Sequence, residues 1–156
     1  MFDERTAPLA PDADDRHAYA ASAAIDLRAE SARTARMGDD APAELWRAVF
    51  ALPRWVFIAR TLEDGTRQPL AVIDDEHRPM MLAFTSAARA HAAAERRGAL
   101  EEGTEVVGVP PIAVVEGYEQ YLRSGVQGIV FDEGSTGFPL LLKQLPSLHR
   151  AVGGAA

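Results

Sequence analysis

Trp55-Val56-Phe57-Ile58-Ala59 is the stretch on which the fold turns. It is apolar at every position and rich in β-branched and aromatic side chains. It therefore reads as a strand covered on both faces, at or near the middle of a sheet. Before it, Pro42 opens and Pro53 closes a short helix whose apolar face is Leu45, Trp46, Val49 and Phe50. After it, Glu63-Asp64-Gly65-Thr66 carries an Asp-Gly turn signal, and residues 70–73 follow as a second strand. Asp74-Asp75-Glu76-His77-Arg78 makes the next turn, and residues 79–84 the third strand. Three strands joined by short polar connections predict an antiparallel meander.

Beyond the meander, Thr85 and Ser86 supply hydroxyls that can cap a helix running to Arg97, with Gly98 at its left-handed end. Residues 104–109 form a fourth strand. Pro110-Pro111 leads into a helix presenting Val115, Tyr118 and Leu122, and residues 126–131 form a fifth strand. The apolar stretch from Phe138 to Leu142 reads as the start of a closing helix. The order β-β-β-α-β-α-β predicts a single α+β domain with a mixed, mainly antiparallel five-stranded sheet and flanking helices.

The chain divides into three parts on composition. Residues 1–40 form an acidic, Ala/Arg-rich arm, residues 41–150 the α+β domain, and residues 151–156 a flexible tail. In the arm, residues 1–12 read as a disordered start. Residues 14–37 favour helix but offer only Tyr19, Ile25, Leu27 and Met37 as large apolar groups. So thin a stripe predicts a mobile, solvated arm, with docking onto a partner chain as the alternative.

Composition excludes several functions. The 156 residues suit one domain and bury enough surface to fold without a metal or disulfide. With no cysteine, disulfides, thiolate metal sites and cysteine nucleophiles are ruled out. The net charge is −7, and ten acids against five arginines in residues 1–44 account for −5 of it. No basic patch recommends nucleic acid or an anionic membrane as partner. No apolar run reaches the ~20 residues that span a bilayer, and the start is acidic rather than signal-like. A cytoplasmic protein is expected.

Four segments carry a family resemblance. They are Trp55-Val56-Phe57-Ile58, Met81-Leu82-Ala83-Phe84-Thr85-Ser86, Gly125-Val126-Gln127-Gly128-Ile129-Val130-Phe131, and Phe138-Pro139-Leu140. In this combination, over about residues 43–150, the chain resembles the N-terminal domain of the SseB family, named for enhanced serine sensitivity in bacteria. The resemblance implies an α+β fold, a bacterial origin and a role without established catalytic residues. Two features depart from it. Asp132-Glu133 stands where members often carry Asn-Pro, and the C-terminal domain of longer members is absent.

Chemistry-bearing motifs are sparse. The four histidines share no metal-ligand spacing, and neither a Gly-x-Ser-x-Gly elbow nor a phosphate-binding Gly-rich loop with Lys occurs. Asp74-Asp75-Glu76-His77 reads as a solvated turn, and Glu116, Glu119 and Asp132 as surface charge. No catalytic residue, metal or cofactor is expected. Gly134-Ser135-Thr136-Gly137 lies after a strand and before the expected helix, a setting whose backbone N–H groups attract anions. If the strand ends at Thr85-Ser86 and at this loop lie side by side, they frame one polar crevice. The candidate ligand residues are therefore Thr85, Ser86, Gly134, Ser135, Thr136 and Gly137.

The expected function is a non-catalytic binding or regulatory module acting on a protein partner or by self-association. The alternative is a sensor of a small ligand or anion at that crevice, and the remotest reading is an enzyme of unrecognised type.

Overall fold

In the computed structural model, which describes residues 2–100 and 103–152, the run beginning at Trp55 is an inner strand sealed on both faces. In chain order the elements are β1 (Ala7–Pro8), α1 (Arg16–Arg33), α2 (Ala41–Phe50), β2 (Trp55–Thr61), β3 (Arg67–Pro69), β4 (Ala71–Ile73) and β5 (Pro79–Phe84). Then follow α3 (Ala87–Arg96), β6 (Thr104–Val109), α4 (Pro111–Glu116), α5 (Tyr118–Arg123), β7 (Gly128–Phe131), β8 (Phe138–Leu141), a 3-10 turn (Leu142–Gln144) and α6 (Leu145–Val152). The sheet order is β1-β6-β2-β5-β7-β8, with β3 beside β2 and β4 beside β5. Every pairing is antiparallel except β5 with β7. The architecture is α+β with a mixed, mainly antiparallel sheet, as the element order predicts.

Alternation along β2 builds two cores. Trp55, Phe57 and Ala59 face a large cluster with α1, α2 and the C-terminal helices. Val56 and Ile58 face a smaller one made with Leu82, Phe84, Val106 and the alanines of α3. All five residues of the run are buried, which is the covering that an uninterrupted apolar strand requires.

The strands outnumber the five read from sequence, for three separate reasons. First, the expected strand at residues 70–73 belongs to a longer segment broken at Leu70. The Leu70 N–H donates to the Ile58 carbonyl, and its own carbonyl accepts from the Leu82 N–H, so the chain changes partner there from β2 to β5. Second, Ala7–Pro8 pairs with β6 and Leu9 donates to the Val106 carbonyl, so the first residues are a sheet edge rather than a disordered start. Third, Phe138–Leu141 is a strand antiparallel to β7 and not the start of a helix. Phe138 and Leu140 are buried while Pro139 is exposed, a period of two that the following leucines mask.

Residues 14–37 also differ from the mobile arm that the thin stripe predicts. Helix α1 packs against α2 and buries Ser22, Ile25 and Ala29, spaced i, i+3, i+7 along one face. Two of these three side chains are small, so the helix lies close to its neighbours and needs few large apolar groups. Polar ties supplement them, as described next. Of the expected tail, residues 153–156 lie outside the described residues.

Candidate functional site

Helix α1 crosses the end of the sheet where the parallel pair β5 and β7 terminates, and this crossing creates both polar and apolar sites. The two strand ends do lie side by side. Thr85, just past β5, donates its N–H to Asp132 Oδ1 and its hydroxyl to Asp132 Oδ2, both at 2.8 Å. Asp132 stands just past β7, is fully buried, and has a left-handed φ of 53° that Asp tolerates better than most residues.

Arg89 of α3 completes the polar hub. Its Nη1 donates to Asp132 Oδ2 at 2.8 Å, and its two Nη atoms grip Asp26 of α1 at 2.7 and 2.6 Å. The hydroxyls of Ser22 and Thr85 share a 2.8 Å hydrogen bond. Burial raises the Asp132 carboxyl above its ordinary range, and hydrogen bonds and charge from Thr85 and Arg89 pull it back in part. The crevice expected between the strand ends is thus filled by the protein's own side chains.

The 134–137 loop is built on the Asp132 backbone. That carbonyl accepts from Ser135 N at 3.0 Å, Gly137 N at 3.1 Å and Ser135 Oγ at 3.1 Å. Two loop amides are therefore already engaged, and the segment runs into strand β8 rather than into a helix N-terminus. Two carbonyls at the loop accept from arginines: Arg96 donates to Glu133 O at 3.4 Å and Arg33 donates to Thr136 O. Gly134 has φ +93°, and a Cβ there would collide with the Arg96 guanidinium. Gly134 thus makes room for Arg96, whereas a Cβ at Gly137 would meet nothing within 4 Å and its φ of +56° is what favours glycine there.

The other expected anion position is the start of α3. Ser86 caps it, accepting from Arg89 N at 3.2 Å. The Ala87 and Ala88 amides donate to the two oxygens of Asp14, at 2.9 and 2.8 Å. A carboxylate does occupy this helix N-terminus, and it comes from the chain itself.

Of the six candidate residues only Thr85 lines a cleft of about 500 Å³ between α1 and the end of α2, while Gly134, Ser135 and Gly137 lie exposed on the surface. Ala18, Ala21, Ala24, Ala48, Leu52 and Pro53 provide apolar walls. Asp14, Asp15, His17, Arg28 and Arg54 supply the ionisable groups. The volume falls within the roughly 300–1,000 Å³ of small-ligand sites. Sequence reading missed this cleft because it is formed by alanines from two helices, and alanine spacing alone marks no pocket. It also read Asp132 as surface charge, since nothing in Phe131-Asp132-Glu133-Gly134 distinguishes a buried carboxylate from a turn.

The Asp74 turn has no need of a cation. Asp74 Oδ1 accepts from the amides of Glu76 and Arg78, and Oδ2 from Arg78 Nε. Among the described residues no three His, Asp or Glu side chains converge on a metal position, and no helix is long and apolar enough to cross a membrane. In comparisons with known proteins, no family model, no curated protein and no solved structure matches this chain, so its likeness to the SseB family rests on the four quoted segments alone.

Proposed function

We propose that this chain is a non-catalytic, SseB-like binding or regulatory module whose small-molecule ligand enters the α1–α2 cleft. The observation that carries the reading is the cleft itself: apolar walls, a volume suited to a metabolite, and ionisable groups at its border. The cleft's one hydroxyl side chain, Thr85, is committed to Asp132, and its carboxylates, Asp14 and Asp15, to helix amides, which favours binding over chemistry. Ligand occupancy would be read by a protein partner or a second copy of the chain, because helix α1 both walls the cleft and carries the exposed Tyr19 and Leu27. Localisation in the bacterial cytoplasm accords with this role.

A thermal-shift screen of the full chain against a metabolite panel tests the proposal, with Ala24→Trp as control. Ala24 is an exposed helical position on the cleft wall, so the substitution fills the space without entering the core. At a ligand concentration 100-fold above Kd the stabilisation is roughly 2.7 kcal/mol. Ligands should raise the melting temperature of the native protein and not of the variant. A panel without effect, or equal shifts in both proteins, would reject the cleft as the site.

A further inference from the structure

Resting on the reading of the cleft as a ligand site, we infer that its ligand is a small organic anion: a carboxylate carried on an apolar body. The walls decide the body. Six alanine, leucine and proline side chains offer no hydrogen-bond partner, so a polar body would lose its water without compensation. The ionisable border decides the charge, and its five members are not equally available.

The two acids are occupied. Both carboxylate oxygens of Asp14 accept α3 amides, and Asp15 Oδ1 accepts from Ala18 N at 2.9 Å as the N-cap of α1. Their negative charge is thereby matched to the positive ends of two helices. The two arginines, by contrast, make no hydrogen bond or ion pair with any described residue. Arg28 stands on the exposed side of α1. Arg54 is half-buried because its stem lies across Gly108, where a Cβ would come within 2.9 Å of Arg54 Cδ. The absent side chain of Gly108 is what lets that stem lie flat, and Arg54 is one of the residues that line the cleft. His17, the fifth group, is exposed and adds no negative charge. The uncommitted ionisable groups of the cleft are therefore cationic or neutral, and a guanidinium recognises a carboxylate by paired, charge-assisted hydrogen bonds.

Calorimetric titration of the full chain with hexanoate, octanoate and 3-phenylpropanoate, each beside its primary amide, tests the inference. The amide keeps the body and removes the charge. At least one acid should bind at least tenfold more tightly than its amide. That preference should disappear in the Arg28→Gln/Arg54→Gln double variant while its melting temperature stays near that of the native chain. Inorganic phosphate, a charge without an apolar body, should not compete at millimolar concentration. If amides bind as well as acids in the native protein, the ligand class is wrong and the cleft reading survives. If the preference persists in the double variant, the arginines are wrongly assigned. If none of the six compounds binds, the ligand class is wrong, and the metabolite panel with Ala24→Trp decides whether the cleft reading falls with it.

Discussion

Asp132 shows how one side chain can hold three elements together where the parallel strands β5 and β7 end. It accepts from the Thr85 amide, the Thr85 hydroxyl and Arg89, and no water reaches it. Replacing it by Ala leaves those buried donors without an acceptor, a change that costs roughly 3–5 kcal/mol when one partner of a buried pair is removed. Asp26 grips the same guanidinium from a third-exposed position, so Asp26→Ala should cost only about 1 kcal/mol. Equal losses in urea titrations of the two variants would show that the hub is centred on Arg89 and Asp26 instead. Trp55 represents the other kind of anchor. Fully buried, it stacks edge-on to Phe131 at 5.0 Å and donates Nε1–H to the Val49 carbonyl at 2.9 Å. Trp55→Ala should therefore cost roughly 3–5 kcal/mol, and a measured loss under about 1 kcal/mol would refute that account.

Among the elements, legibility followed the number of constraints that local sequence carries. β2 was readable because five consecutive apolar residues leave few alternatives to a doubly covered strand. Helix α3 was readable because Ser86 and Gly98 mark its ends. β8 was not, since Leu141 and Leu142 extend the apolar run and hide the in-out alternation of Phe138, Pro139 and Leu140. The partner change at Leu70 depends on β2 and β5 diverging, which no local pattern encodes. The 74–78 turn was legible as a turn, and the structure adds its electrostatics. Hydrogen bonds from the Arg78 amide and side chain hold the Asp74 carboxyl below its ordinary 3.8. A lowered carboxyl stabilises the fold above its unfolded pKa and loses that contribution as pH falls through the folded value. The stability advantage of the native protein over Asp74→Asn should accordingly shrink between about pH 5 and about pH 2. A difference constant across that range would exclude Asp74 from the acid limb.

At the scale of the whole molecule, helix α1 decides what kind of object this chain is. Counting apolar side chains predicted an arm free of the body, because Tyr19, Ile25, Leu27 and Met37 made too thin a stripe over residues 14–37. Of these only Ile25 is buried in the 18-residue α1. The docking instead combines Ile25 and Ala29 against α2 with ties whose partners lie far along the chain: Ser22 to Thr85, Asp26 to Arg89, Asp14 to the start of α3 and Arg33 to Thr136. No sequence window contains both ends of such a tie, which is why the hub and the cleft were illegible while the sheet was not. The consequence can be measured by removing residues 1–38. The shortened chain would expose Leu45 and Val49, strip the first amides of α3 of their acceptor, and leave Thr85 and Arg89 each without one partner. Burial of Ile25 alone contributes roughly 2–3 kcal/mol, and an N-terminal cap about 1 kcal/mol. At roughly 2–4 °C per kcal/mol for a chain of this size, the melting temperature should fall by at least about 6 °C. Cooperative melting of the shortened chain within a few degrees of the full one would mean that α1 is an appendage. Ile25→Ala in the full chain separates packing from chain length: a loss of roughly 2–4 kcal/mol there places the docking energy on the buried face of α1.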